Sequence, residues 1–145
     1  MSDLVIRAPR ADDAESLARL VTQLGYPAAT DDIPARLERF YADAGARAFV
    51  AEKDDALLGL ITIHLRHTLN HEAPIAQITL LVVDETHRTA GVGRALVEAA
   101  EGWAHVRGAK RVAVTTALDR AVAHSFYEKV GFRHTGRRYA KDFSL

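Results

Sequence analysis

Apolar and polar positions along the chain follow two alternating periods. Leu4-Val5-Ile6-Arg7 predicts a short strand, which Pro9 keeps from continuing. Asp12 and Asp13 suit a helix start, and Ala14, Leu17, Leu20, Val21 and Leu24 then form one apolar stripe until Gly25. A second helix begins near Asp31 or Asp32, carries Pro34 in its first turn, buries Ile33, Leu37, Phe40 and Tyr41, and ends near Gly45. The period then drops to two. Ala48 to Glu52 and Leu57 to Leu65 predict a hairpin that turns through Lys53-Asp54-Asp55. After a loop through Asn70 and Pro74, the run Ile75 to Val83 predicts a central strand. Ala90 to Arg107 predicts a long helix with the stripe Val92, Ala95, Leu96, Ala99, Trp103 and Val106, ended by Gly108. Lys110 to Ala117 predicts another strand, Ala121 to Val130 a last helix capped by Gly131, and Phe132 to Phe143 a closing strand.

This order of elements predicts an α/β fold with one mixed sheet and helices on both faces. No linker or composition break divides the 145 residues, and an apolar content of 48% is enough for a real core, so a single domain over 1–145 is expected. Lys and Arg balance Asp and Glu at 19 each and are dispersed, which argues against a nucleic-acid groove. The absence of cysteine excludes a disulfide framework, a zinc-thiolate site and a cysteine nucleophile, and it fits a reducing cytoplasm. There is no basic-then-apolar leader and no apolar run of bilayer length, so a cytoplasmic protein that does not span a membrane is expected.

The candidate chemistry begins where the central strand turns into the long helix, at His87-Arg88-Thr89-Ala90-Gly91-Val92-Gly93-Arg94. Unpaired N–H groups and the positive end of a helix dipole meet there, and Arg88 and Arg94 add full charges, so a phosphate or pyrophosphate is the expected ligand. A Walker loop fails, because Arg94-Ala95 follow Gly93 where a Lys-Ser or Lys-Thr pair is needed. A dinucleotide-binding turn is weakened by Leu96 at the position of its third small residue, although Asp119 could imitate the ribose-binding acid. The remaining pattern, Arg-x-x-Gly-x-Gly at Arg88, Gly91 and Gly93, resembles the pyrophosphate loop of the GCN5-related N-acetyltransferases. A second segment, Ala123-x-x-Phe126-Tyr127-Glu128-Lys129-x-Gly131-Phe132, resembles the last helix and turn of that family, in the right order and at a fitting distance.

The resemblance implies the acyl-coenzyme A N-acyltransferase fold, with acetyl-coenzyme A as cosubstrate in a wedge between the strands flanking the glycine-loop helix. It assigns the pantetheine arm to backbone groups of Leu81, Val82 and Val83, and the pyrophosphate to Arg88, Thr89, Ala90, Gly91, Val92, Gly93 and Arg94. It assigns to Tyr127 the role of general acid toward the departing thiolate. The acceptor would be a primary amine: an aminoglycoside-like or polyamine-like small molecule, or a protein amine. Dimers are common among similar proteins, which leaves a homodimer open.

The general base is the least legible part. Relatives often carry an acid on the central strand, but here that face carries Gln77 and Thr79, expected on the same side as Leu81. They could orient a water; His64 or Glu72 could take the proton; or desolvation of the amine could suffice. Tyr26, Asp31, Asp32, Tyr41 and His64 are candidates for lining the acceptor site. His124 and Ser125 are adjacent on a helix and do not face one another, so they do not form a nucleophilic pair. His64, His67, His71 and Glu72 lack a helical i, i+4 pair, and no metal is expected. Arg120 stands where relatives often carry asparagine. Two other classes remain: a non-catalytic acyl-coenzyme A sensor, favoured by the missing strand carboxylate, and a module that binds NAD or ATP.

Overall fold

A computed structural model of the chain describes residues 3–87, 91–115, 121–136 and 138–143, with the backbone alone at Ala121 and Val122. Its elements are β1 (Val5–Arg7), α1 (Ala14–Leu24), α2 (Ile33–Tyr41), β2 (Ala46–Lys53), β3 (Ala56–Arg66), β4 (Ile75–Val83), α3 (Val92–Val106), β5 (Arg111–Val114) and α4 (Ala121–Lys129). They group into two compact units, Met1–Ala113 and Val114–Leu145.

The first unit is built on a sheet of order β1-β2-β3-β4-β5. Neighbours from β1 to β4 are antiparallel, and the chain crosses from β4 to β5 through α3. The β2–β3 hairpin closes at Lys53↔Ala56, with Asp54 and Asp55 both at positive φ (52° and 63°), the geometry whose twist suits a two-residue hairpin loop. On one face, Leu17, Leu20 and Ile33 pack with Ala48, Val50, Leu60 and Val82, and Leu37 and Phe40 flank them. On the other face lies α3, whose Val92 and Leu96 approach Gly59. Helices thus cover both faces.

Two further features fix this unit. Glycine caps end α1 and α3: Gly25 (φ 112°) and Gly108 (φ 93°) adopt the left-handed conformation. Tyr26 N–H then donates to the Val21 carbonyl and Ala109 N–H to the Ala104 carbonyl, the wrapped C-terminus that glycine permits. At the sheet edge, the Arg7 guanidinium grips the nearly buried Asp13 with both terminal nitrogens (2.8 and 2.9 Å), while its Nε reaches Glu52 at 3.2 Å. Its hydrogen bond to Arg7 holds the Asp13 carboxyl below the usual carboxylate range despite burial, and Arg10 N–H adds to the effect. Asp13 is therefore an ion-pair anchor as well as the residue preceding α1.

Three expectations fail. Val106 is 83% exposed, because the buried stripe of α3 runs through Val92, Gly93, Leu96, Val97, Ala100 and Ala104. Val106 points about 200° round the helix from Ala104, away from that stripe. Tyr41 is 44% exposed rather than buried, because it sits one residue past Phe40 and turns off the packed face of α2. The closing strand expected from Phe132 to Phe143 does not form among the described residues: beyond the Gly131 cap, residues 133–136 and 138–143 are exposed and present no alternating apolar face.

The second unit contains α4 and the segment after it. Gly131 (φ 102°) ends the helix, with Phe132 N–H donating to the Tyr127 carbonyl at 2.9 Å and Gly131 N–H to the Glu128 carbonyl at 3.2 Å. The Tyr127 and Phe132 rings close the same cap edge-on, with centroids 5.6 Å apart.

Candidate active site

The central strand carries an irregularity that its sequence does not reveal. β4 pairs with β3 as Val83↔Gly59, Val82↔Leu60, Leu81↔Ile61 and Leu80↔Thr62, and then resumes at Ile78↔Ile63 and Gln77↔His64. Thr79 is an extra residue, a β-bulge opposite Thr62, and its hydroxyl lies 2.7 Å from the Thr62 hydroxyl. One inserted residue reverses the alternation. Gln77 therefore shares the α1–α2 face with His64, Thr62 and Leu80, while Leu81 pairs with Ile61 on the α3 face. The expectation that Gln77, Thr79 and Leu81 point the same way is corrected.

Beyond the bulge, Leu81, Val82 and Val83 run into Asp84, whose N–H donates to the Leu58 carbonyl at 2.7 Å. The Asp84 carboxylate accepts from Arg19 of α1 at 3.0 Å and from the Thr86 N–H at 3.3 Å, and Gln23 of α1 accepts the Glu85 N–H at 3.2 Å. Burial pushes the Asp84 carboxyl up, but Thr86 and Arg19 outweigh it and hold it below its usual range. This clamp fixes a short 3-10 turn, Glu85–His87, at the entrance of the glycine loop. Arg88, Thr89 and Ala90 lie outside the described residues.

The loop is described again at Gly91, which caps α3 with φ 76°. The first helical acceptor is the Gly91 carbonyl, taken by Ala95 N–H at 3.1 Å, so the N–H groups of Val92, Gly93 and Arg94 precede the helical ladder. With the helix dipole, they make this end of α3 favourable to an anion. Val92 and Gly93 are buried and Arg94 is exposed. The close seat of this helix end depends on Gly59, where a Cβ would stand 2.8 Å from Leu96 Cδ1 and 3.0 Å from both the Val82 carbonyl oxygen and Val92 Cγ1. Sequence reasoning misses Gly59 and the Asp84–Arg19 clamp. A lone glycine inside an apolar strand is the available signal for the first; the second joins residues 65 positions apart and leaves none.

The remaining candidates separate. Tyr127 is half-buried in the second unit, its ring held edge-on between Phe126 and Phe132. Tyr41 donates its hydroxyl to the Pro9 carbonyl at 2.8 Å, and partial burial raises its phenol pKa. Asp32 accepts from Ala29 N–H and pairs loosely with Arg36, so it helps start α2. Tyr26 and Asp31 are exposed. His64 is half-buried, edge-on to Phe40 at 5.4 Å, with Nδ1 3.7 Å from Asp43 Oδ2. Glu72 lines a pocket with His71, Pro74, Ile75, Lys110 and Arg111 at the start of β4, far along the strand from Leu81, Val82 and Val83. Among the described residues, no group of three or more His, Asp or Glu is placed to hold a metal ion. Asp119 and Arg120 lie outside the described residues.

A bulged strand leading through a clamped turn toward Gly-x-Gly at the positive end of a 15-residue helix defines an α/β protein suited to hold a phosphorylated coenzyme. Comparison with known proteins makes the class specific. Residues 14–132 match the model of the acetyltransferase (GNAT) family, and the chain belongs to that family. It is 28% identical over 141 residues to an aminoalkylphosphonate N-acetyltransferase of Salmonella typhimurium, covering 94% of this chain and 89% of the relative. It is 29% identical over 136 residues to an aminoglycoside N(6')-acetyltransferase type 1 of Stenotrophomonas maltophilia, covering 91% and 88%. The fold is that of the aminoglycoside N-acetyltransferase AAC(6')-Iy solved with coenzyme A, with a TM-score of 0.86 at 23% identity over 100% of this chain and 97% of that one. Both relatives are named as N-acetyltransferases, and by its family this chain is an N-acetyltransferase dependent on acetyl-coenzyme A.

Proposed function

We propose that the chain transfers the acetyl group of acetyl-coenzyme A to the primary amine of a small molecule, by direct attack while both substrates are bound. The observation that carries this reading is the bulged end of β4 leading toward the Gly91-Val92-Gly93 helix start. Backbone groups of Leu81, Val82 and Val83 receive the pantetheine arm as an added strand would, and residues Arg88 to Arg94 receive the pyrophosphate. The extra residue at Thr79 disturbs the local ladder, which frees backbone N–H groups near it to polarise the thioester carbonyl. Tyr127 protonates the leaving sulfur.

The two bacterial relatives, named for aminoglycoside and aminoalkylphosphonate acetylation, support a small amine over a protein amine as acceptor. The reading includes one catalytic domain over 1–145, working in the cytoplasm as a homodimer; the cysteine-free composition suits a reducing compartment. Thiol release from acetyl-coenzyme A, measured with neamine and with 2-aminoethylphosphonate, tests it. Saturable release with at least one, and an acetylated product by mass, is expected. Release no faster than without enzyme for either would contradict the reading.

A further inference from the structure

The bulge at Thr79 leaves the α1–α2 face of β3 and β4 with a polar strip of Thr62, Thr79, Gln77 and His64. Thr62 and Thr79 are hydroxyls and Gln77 is an amide, so the His64 imidazole is the one basic side chain in this strip. Two groups flank its ring: Phe40 of α2 packs edge-on at 5.4 Å, and Asp43 Oδ2 stands 3.7 Å from Nδ1, within ion-pair reach but longer than a hydrogen bond. Asp43 occupies the Nδ1 side, which makes Nε2 the nitrogen available to accept a proton. His64 lies two residues along β3 from Thr62, about 7 Å from the bulge, a gap that its side chain and one water span. Of the groups around the ring, Asp43 and Arg66, two residues further along β3, carry charge; Phe40, Ala46 and Gln77 carry none.

We propose that His64 accepts, through a water, the proton lost by the acceptor nitrogen, and that Asp43 is a positioning residue for its ring. This rests on the reading of the site given above. The neutral amine attacks the thioester carbon, the N–C bond forms and the C–S bond breaks. One proton passes from nitrogen through water to His64 Nε2, and the departing sulfur takes another from its general acid. Exchange with solvent then restores both groups.

The test follows kcat for thiol release against pH with neamine and 2-aminoethylphosphonate, in wild type, His64→Gln, His64→Asn, Asp43→Asn and Asp43→Glu, with acetyl-coenzyme A affinity measured alongside. Wild type should show an acid limb in kcat. Both His64 variants should lose that limb and about a hundredfold in kcat with coenzyme affinity unchanged. Asp43→Asn should lower kcat severalfold with the limb retained, and Asp43→Glu should restore it. A His64 variant that binds coenzyme normally, keeps the limb and stays within twofold of wild type would overturn the proposal alone. Wild type inactive on both amines would overturn the reading beneath it, and this proposal with it.

Discussion

Replacing Gly59 by alanine adds one methyl group where α3 meets the sheet. A Cβ there stands 2.8 Å from Leu96 Cδ1, 3.0 Å from Val92 Cγ1 and 3.0 Å from the Val82 carbonyl oxygen. Leu96 and Val92 are almost completely buried, and the carbonyl belongs to a paired strand, so none of the three can yield freely. Two effects oppose each other. Removing a glycine from a strand stabilises by about 0.4–1 kcal/mol through the unfolded chain, while overpacking a filled core costs about 1–3 kcal/mol. Overpacking wins, and the net loss should be about 1–2 kcal/mol, or a Tm lower by roughly 3–8 °C for a domain of this size. The start of α3 must move away from Val82, so the dissociation constant for coenzyme A should rise by about fivefold, near 1 kcal/mol. Gly102, exposed on α3 with open space about its Cβ position, provides the control: Gly102→Ala should stabilise by about 0.5–1 kcal/mol and leave coenzyme binding unchanged. Thermal melts and calorimetric titration read both. A Gly59→Ala protein as stable as wild type, with unchanged coenzyme affinity, would refute the close seating of α3.

Substitutions at three other positions probe the acid, a helix cap and the edge anchor. Tyr127→Phe should lower kcat by about a hundredfold while coenzyme affinity holds, because the phenyl ring keeps its contacts with Phe126 and Phe132 but has no proton to give; equal kcat would remove Tyr127 from the chemistry. Gly131→Ala forces a Cβ into φ 102° and should cost about 1–2 kcal/mol by chemical denaturation, with Gly131→Asn milder. Asp13, whose carboxyl is depressed by Arg7, contributes stability that is complete above about pH 4 and lost as pH falls through its lower folded value. Asp13→Asn should cost about 2–3 kcal/mol at pH 7, less than breaking a pair deep in a core because this one sits at the sheet edge, and should flatten the acid loss. Melts across pH 2–7 would show an unchanged acid limb if the anchor is idle.

Periodicity recovers elements wherever burial is one-sided or complete. The β4 run is legible to the residue as Ile75–Val83, and Gly25, Gly108 and Gly131 mark helix ends because only glycine adopts the required positive φ cheaply. The bulge is not legible: inserting Thr79 changes no composition and shows itself only through pairing with β3. The same is true of Arg7–Asp13–Glu52 and Arg19–Asp84, where charges brought together by the fold leave no local pattern. For α3, a strict 3.5 spacing extends to Val106, whereas the buried face of a straight helix drifts away from it. The glycine loop is readable because its chemistry is carried by backbone, which demands glycine; the base is not, because any proton acceptor near the bulge can serve.

The most direct test of the central claim is the stability of the wild-type protein with acetyl-coenzyme A, coenzyme A, NAD and ATP, each at about a hundred times the dissociation constant expected for a bound coenzyme. A ligand that binds only the folded state at that excess stabilises by about 2.7 kcal/mol. Acetyl-coenzyme A and coenzyme A should raise Tm clearly, with NAD and ATP leaving it within error. A shift with NAD or ATP alone, or none with either coenzyme, would contradict a coenzyme A site at the end of β4.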